Sequence, residues 1–259
     1  MRTKKIYIIL IVIVLVFFLV MFALFGVDNL RKEKYNTTLI VGNDTVWTYK
    51  RKRWINITNS TSRADLNWDK YKVFVSNEEL GDYLLWYSDK WYAFDDNKKP
   101  IKIDGSLIAY KANYDMNIYK FTEEKIDDYR YVYDVLKENG LDVESKFTAS
   151  YKVSLDFDND ESKEDFYLIT NTFPMDFNPD KIFSIVFMVD DGNIYNIYTD
   201  ISNNSGFNGC KPYFTSFIDV DNDKDLELIL SCSQYSVSNR IDMLYKFDNN
   251  EFKIKISNQ

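Results

Sequence analysis

The chain has 259 residues, 46% hydrophobic, 28% charged and 17% aromatic, a balance that suits a folded protein rather than a disordered one. It has no histidine and two cysteines, which excludes Ser-His-Asp and Cys-His catalysis and imidazole-ligated zinc. Its net charge is -8, and residues 1–34 carry six basic against two acidic groups, so the remainder is more acidic still and nucleic acid is not an expected partner.

Arg2, Lys4 and Lys5 precede an uncharged apolar run from Ile6 to Val27. As a helix this run spans roughly 33 Å, enough to cross a bilayer core. It is longer than a signal-peptide core and ends without a small-x-small cleavage site, so an uncleaved anchor is expected. On this expectation the protein sits in the cell membrane as a single-pass chain, held through residues 6–27, with its C-terminal domain outside. Arg31, Lys32 and Lys34 nearly cancel the flanking charge bias, and the acidic loops described below favour the outside, where weak calcium sites fill.

Residues 28–121 read as short strands separated by turn signals such as Gly42-Asn43-Asp44 and Asp95-Asp96-Asn97. All five tryptophans fall here, at 47, 54, 68, 86 and 91. Cross-strand core packing accounts for such aromatics. The sharper alternative is a glycan-stacking surface carried by Trp54, Trp86 and Trp91. The piece from Asp89 to Asn97 resembles one hairpin of a cell-wall-binding repeat, which would imply a cell-wall glycan as partner.

A helix is expected next, within a connector spanning 122–146. Thr122 is its candidate cap, Glu123 and Glu124 suit its first turn, and Gly140 suits its end. Ile126, Tyr129, Val132, Tyr133 and Leu136 form its apolar stripe.

Residues 147–259 then repeat one pattern twice. A half-buried strand leads into the acidic loop DFDNDESKE, Asp156 to Glu164, and an apolar strand leads out of it. The same order returns 63 residues later around DVDNDKDLE, Asp219 to Glu227. Asp156, Asp158, Asp160 and Glu164 in one loop, and Asp219, Asp221, Asp223, Asp225 and Glu227 in the other, crowd so much like charge that a cation is the expected compensation. An EF-hand is excluded, because its twelfth-position glutamate is Tyr167 in one loop and Leu230 in the other.

The two loops resemble the acidic signature of FG-GAP/VCBS-like repeats of bacterial surface proteins, over residues 147–259 only. The match is to acidic positions one, three, five and nine. The glycine usual at position six is Glu161 in the first loop and Lys224 in the second, and the Phe-Gly and Gly-Ala-Pro portions are absent. The resemblance implies structural calcium, with the backbone carbonyl of Ser162 or Asp225 as a further ligand.

Cys210 and Cys232 flank the second loop and are candidates for a disulfide, the alternative being two separately buried thiols. A hairpin centred on Asp223 would leave them four residues out of register, so pairing would need a bend before Tyr213.

The expected fold is thus mainly β: an N-terminal transmembrane helix, then antiparallel four-stranded repeat units, propeller-like or stacked, with one amphipathic helix. The expected function is a calcium-stabilised binding or structural surface module, with a surface protein or a glycan as partner. A carboxylate-based glycoside-active enzyme is the remaining alternative; no nucleophile or phosphate motif supports it.

Overall fold

A computed structural model describes residues 37–50, 53–58, 63, 66–111, 116–172, 181–203, 210–234 and 240–258. Over these described residues the chain is mainly β, with three antiparallel sheets and one short helix.

The first sheet holds eight strands: β1 Thr37–Val41, β2 Thr45–Lys50, β3 Arg53–Asn56, β4 Lys70–Val75, β5 Glu78–Tyr87, β6 Trp91–Phe94, β7 Pro100–Ile101 and β8 Leu107–Lys111. Their order is β3-β2-β1-β8-β4-β5-β6-β7, so the last strand inserts between the first and fourth. β9, Asn117–Tyr119, leaves this sheet and pairs instead with β14 of another. The four-stranded sheet is β10 Ala149–Leu155, β11 Glu164–Thr170, β12 Lys181–Asp190 and β13 Asn193–Asn203, in sequence order. The third sheet is β14 Cys210–Asp219, β15 Glu227–Gln234, β16 Arg240–Asp248 and β17 Glu251–Ser257, with β9 as its fifth strand on the β14 edge.

Turn chemistry follows the residues. Asp191-Gly192 and Asn249-Asn250 each have positive φ at both positions, the geometry that matches strand twist in a two-residue hairpin.

Two expectations about the fold are corrected here. The anchor expected over residues 6–27 lies outside the described residues, and among those described no helix is long and apolar enough to cross a membrane. The single-pass placement in the cell membrane is therefore withdrawn. Uniform four-stranded repeats are also not what forms: the sheets have eight, four and five strands, because β9 joins the second unit from the preceding region.

The helix α1 is shorter than its apolar pattern, running from Arg130 to Glu138. Thr122 does not cap it. The segment before it is extended, and Glu124 exchanges two backbone hydrogen bonds with Lys152 of β10, at 2.8 and 2.9 Å. Pairing with a free sheet edge satisfies those groups as well as a helical turn would. Asp128 Oδ1 accepts the Arg130 N–H at 3.0 Å, and Gly140 takes φ 63° at the far end, as expected.

Alternation along the strands decides how the layers stack. Val153, Phe166, Leu168, Val186 and Met188 of the four-stranded sheet meet Phe214, Phe217, Leu228, Leu230 and Tyr245 of the five-stranded sheet in one core. Ile218, Ile229 and Leu244 point the other way, against Leu39, Val41, Trp47, Ile108 and Tyr110 of the eight-stranded sheet. The outer face of the four-stranded sheet is covered by α1 through Val132, Val135 and Leu136. The second face of the eight-stranded sheet gathers Ile40, Val46, Tyr71, Leu85, Trp91 and Ala109 into a cluster of their own.

One buried polar knot ties the eight- and five-stranded sheets. Asp242 on β16 is fully buried; its Oδ2 accepts Thr45 Oγ1 at 2.6 Å, and its Oδ1 accepts Arg240 Nε at 2.6 Å and the Ser231 hydroxyl. Asn258 closes the ring, donating to Thr45 Oγ1 at 2.6 Å and accepting the Asp242 N–H at 3.0 Å.

Cys210 and Cys232 form a disulfide with Cα atoms 5.5 Å apart. The strand partner of Cys232 is Pro212, so the bridge runs diagonally across the β14–β15 ladder. The bend expected before Tyr213 is absent; a bulge between Phe214 and Ser216 shifts the register by one residue, which leaves Cys210 opposite Gln234 and two residues from Cys232, a gap the diagonal bridge spans. Closing this loop is worth on the order of 3 kcal/mol on a chain-entropy account.

Breaking the polar knot should leave the half-buried Arg240 guanidinium without its counter-charge. Asp242→Ala is expected to lower the unfolding free energy in urea by about 3–5 kcal/mol, and Thr45→Ala by about 1 kcal/mol. An Asp242→Ala loss below about 1 kcal/mol would show that the knot does not couple the sheets.

Candidate metal sites

The two acidic loops connect β10 to β11 and β14 to β15, and their backbones are scaffolded by the same bonds. Glu164 and Glu227 are each only 1% exposed. Glu164 Oε2 accepts the N–H of Phe157 at 2.5 Å, and Glu227 Oε2 accepts that of Val220 at 3.0 Å, seven residues back in both cases. Asp156 accepts the N–H of Glu161 at 3.3 Å as Asp219 accepts that of Lys224 at 3.1 Å. Asp160 accepts the N–H of Ser162 at 2.8 Å as Asp223 accepts that of Asp225 at 3.1 Å. The ninth-position glutamate thus caps the loop's entry while the first aspartate caps its middle.

Such a tight curl requires left-handed backbone. Asn159 and Asn222 take φ of 60° and 58°, and Glu161 and Lys224 take 75° and 80°. Asparagine tolerates this region; at Glu161 and Lys224, where a glycine would be at ease, it costs roughly 1–2 kcal/mol each.

Carboxylate oxygens of Asp156, Asp158 and Glu164 lie within 4.8 Å of one another, and so do those of Asp219, Asp221 and Asp223. Either group could hold a metal ion. The remaining predicted ligands are used differently: Asp160 is exposed with its carboxylate on Ser162, Asp225 is exposed, and Glu227 faces a lysine. Hard carboxylate oxygens without sulfur or imidazole suit calcium or magnesium by donor type.

Sequence spacing did not reveal what arrives from the neighbouring strand. Lys246 of β16 stands opposite Glu227 and sets its Nζ 2.8 Å from Asp223 Oδ2, 3.0 Å from Glu227 Oε1 and 3.4 Å from Asp221 Oδ2. In the first unit Asp165 pairs with Val189, and continuing that register by one residue sets Asp190 opposite Glu164. One loop therefore receives a cation and the other a further carboxylate.

Electrostatics follow. Burial pushes the Glu164 carboxyl above the usual range, with Asp158 and Asp190 adding to it against the pull of the Phe157 N–H. Partial burial, Asp160 and Asp190 push Asp158 up. In the second loop burial pushes Glu227 up to about 8 against the pull of Lys246. Burial disfavours the Lys246 ammonium, but Asp223, Glu227 and Asp221 outweigh it and hold its pKa above the usual lysine range.

The loops also touch. Leu226 N–H donates to the Phe157 carbonyl at 2.9 Å, and Phe157 packs against Phe217 and Phe252.

The expected glycan residues are not brought together. Trp91 is 3% exposed and belongs to the core, and Trp54 is half-buried against Tyr49 and the inter-sheet cluster. Only Trp86 lies on an aromatic surface, and its neighbours there are Trp68, Tyr92 and Phe94. Trp68 is 43% exposed, stacks on Trp86 at 6.5 Å, carries Lys98 over its ring at 5.0 Å, and has φ 68°, an outlier for so bulky a residue. Lying in a turn rather than a strand, it carried no signal in strand alternation.

No family model matches the chain, and no match was found among curated proteins or solved structures.

The glutamate caps should matter with or without a metal. Glu164→Ala leaves the buried Phe157 N–H unpaired and is expected to cost about 1–3 kcal/mol in urea unfolding in chelator, with any loss of metal binding added to that in calcium. An effect seen only in calcium would mean that Glu164 acts as a ligand and not as a cap.

Proposed function

We propose that this chain is a β-sheet binding or structural module with structural calcium at its acidic hairpin end. The observation that carries this is the pair of matched loops, in each of which one buried, one half-buried and one exposed carboxylate converge on a shared backbone scaffold at adjacent hairpin ends. Calcium tolerates irregular oxygen cages, whereas magnesium demands near-octahedral geometry and keeps its waters. The resemblance of the loop spacing to FG-GAP/VCBS-like repeats supports the same ion. Its role here is structural: it offsets carboxylate repulsion and the left-handed strain, stiffening the end of the sheet stack.

At a calcium concentration ten times Kd, binding to the native state alone contributes about 1.4 kcal/mol per site, which corresponds to a rise in Tm of roughly 3–6 °C for a domain of this size. Melting of the full chain in calcium and in chelator should show that rise, and Asp156→Asn with Asp158→Asn should reduce it. Equal melting in both conditions would remove calcium from the account.

A second reading, glycan binding, is favoured by the row of exposed Trp68 and half-buried Trp86, Tyr92 and Phe94 beside Lys98 and the Lys70–Asp96 ion pair. Flat rings bordered by hydrogen-bonding groups match the alternating apolar and hydroxyl surfaces of a sugar. Trp68→Ala with Trp86→Ala should lower retention on cell-wall polysaccharide about tenfold while leaving the core untouched. Unchanged retention would dismiss it.

A further inference from the structure

The two loops share a scaffold and differ in the residue that the neighbouring strand presents to them. We propose that the Lys246 ammonium is the resident cation of the second loop, so that this loop closes without a metal and the first loop alone takes a divalent ion. The proposal deepens the calcium reading above and rests on it for the identity of that ion.

Lysine carries three N–H donors, and Lys246 has three carboxylate partners at 2.8, 3.0 and 3.4 Å, two of them, Asp223 and Asp221, members of the second three-carboxylate group. Its side chain is mostly covered, and it stands directly opposite Glu227 in the ladder, so the ammonium is delivered by strand register and not by a wandering surface chain. A divalent ion in the same group would share its carboxylates with a cation a few ångströms away, and like charges at that distance repel strongly in a half-buried setting.

The first loop stands in contrast. Among the described residues no lysine or arginine pairs with Asp156, Asp158, Asp160 or Glu164, and the strand position that supplies Lys246 in the second unit supplies Asp190 here. Asp156 Oδ1 here and Asp221 Oδ1 in the second loop are both shut off from solvent and accept no hydrogen bond, but Asp221 has the Lys246 ammonium at its other oxygen and Asp156 has no cation among the described residues. The ammonium seated in the sister loop is the independent sign that this cage takes a positive charge. In the first loop that charge has to come from outside the chain.

Equilibrium dialysis of the full chain against calcium counts the ions bound. One ion is expected for the wild type, none for Asp156→Asn with Asp158→Asn, and one still for Asp219→Asn with Asp221→Asn. Lys246→Met, which removes the ammonium and keeps the stem, should bind two, and Lys246→Arg one. Two ions in the wild type would overturn the lysine's role and leave the calcium reading standing. A single ion lost from the Asp219/Asp221 variant, or a folded Lys246→Met that stays at one, would overturn it as well. Binding by neither wild type nor Lys246→Met would overturn both readings. Should Lys246→Met fail to fold, the two aspartate pairs still decide which loop holds the ion.

Discussion

The central strands of the five-stranded sheet are dry on both faces, and the rest of the molecule is arranged around that fact. Leu228, Leu230 and Tyr245 face the four-stranded sheet, while Ile229 and Leu244 face the eight-stranded one. A sheet of this kind cannot place charge along its strands without a partner for every polar atom. Asp242, fully buried within β16, is met by Thr45, Ser231 and Arg240 and spends its charge joining two layers. Other acids are driven to the hairpin ends. That is why two carboxylate-rich loops stand side by side at the turns, bridged by the Leu226–Phe157 hydrogen bond.

At those ends the backbone is bent further than its residues prefer. Glu161 and Lys224 hold left-handed conformations without being glycine, and the carboxylates beside them repel one another. Buried Glu164 and Glu227 supply part of the compensation by capping backbone N–H groups. What remains is charge. The second loop meets it with Lys246, and the first is left with Asp190 for a neighbour. A duplicated scaffold thus carries two solutions to one electrostatic problem, and the difference resides on strands β12 and β16, outside either loop.

The tryptophan-rich sheet makes a separate contribution. Trp47 and Trp91 are core, and the exposed aromatic surface gathers around Trp68, a residue held in a strained conformation in a turn. Buried rings and exposed rings come from the same short stretch because neighbouring positions on a strand point to opposite faces. Trp86 pairs with Tyr92 on one face, and Tyr87 pairs with Trp91 on the other.

Much of this was written locally. Strand positions in both repeat units follow from period-two alternation, turns from Asp191-Gly192 and Asn249-Asn250, and the acidic loops from carboxylates at every second residue, because each of these depends on side chains a few positions apart. Pairing across the chain decided the rest. Glu124 joins the edge of β10, so the helix starts eight residues after its expected cap; β9 crosses to a second sheet; a bulge near Thr215 brings Cys210 one residue nearer the register of Cys232, and the disulfide crosses the ladder diagonally. Register alone puts Lys246 against one loop and Asp190 beside the other. The sequence by itself determined where strands, turns and acidic loops lie. Only the tertiary structure decided which charge meets each loop and which rings meet water, since a one-residue change in strand register alters every cross-strand neighbour while leaving local patterns as they were.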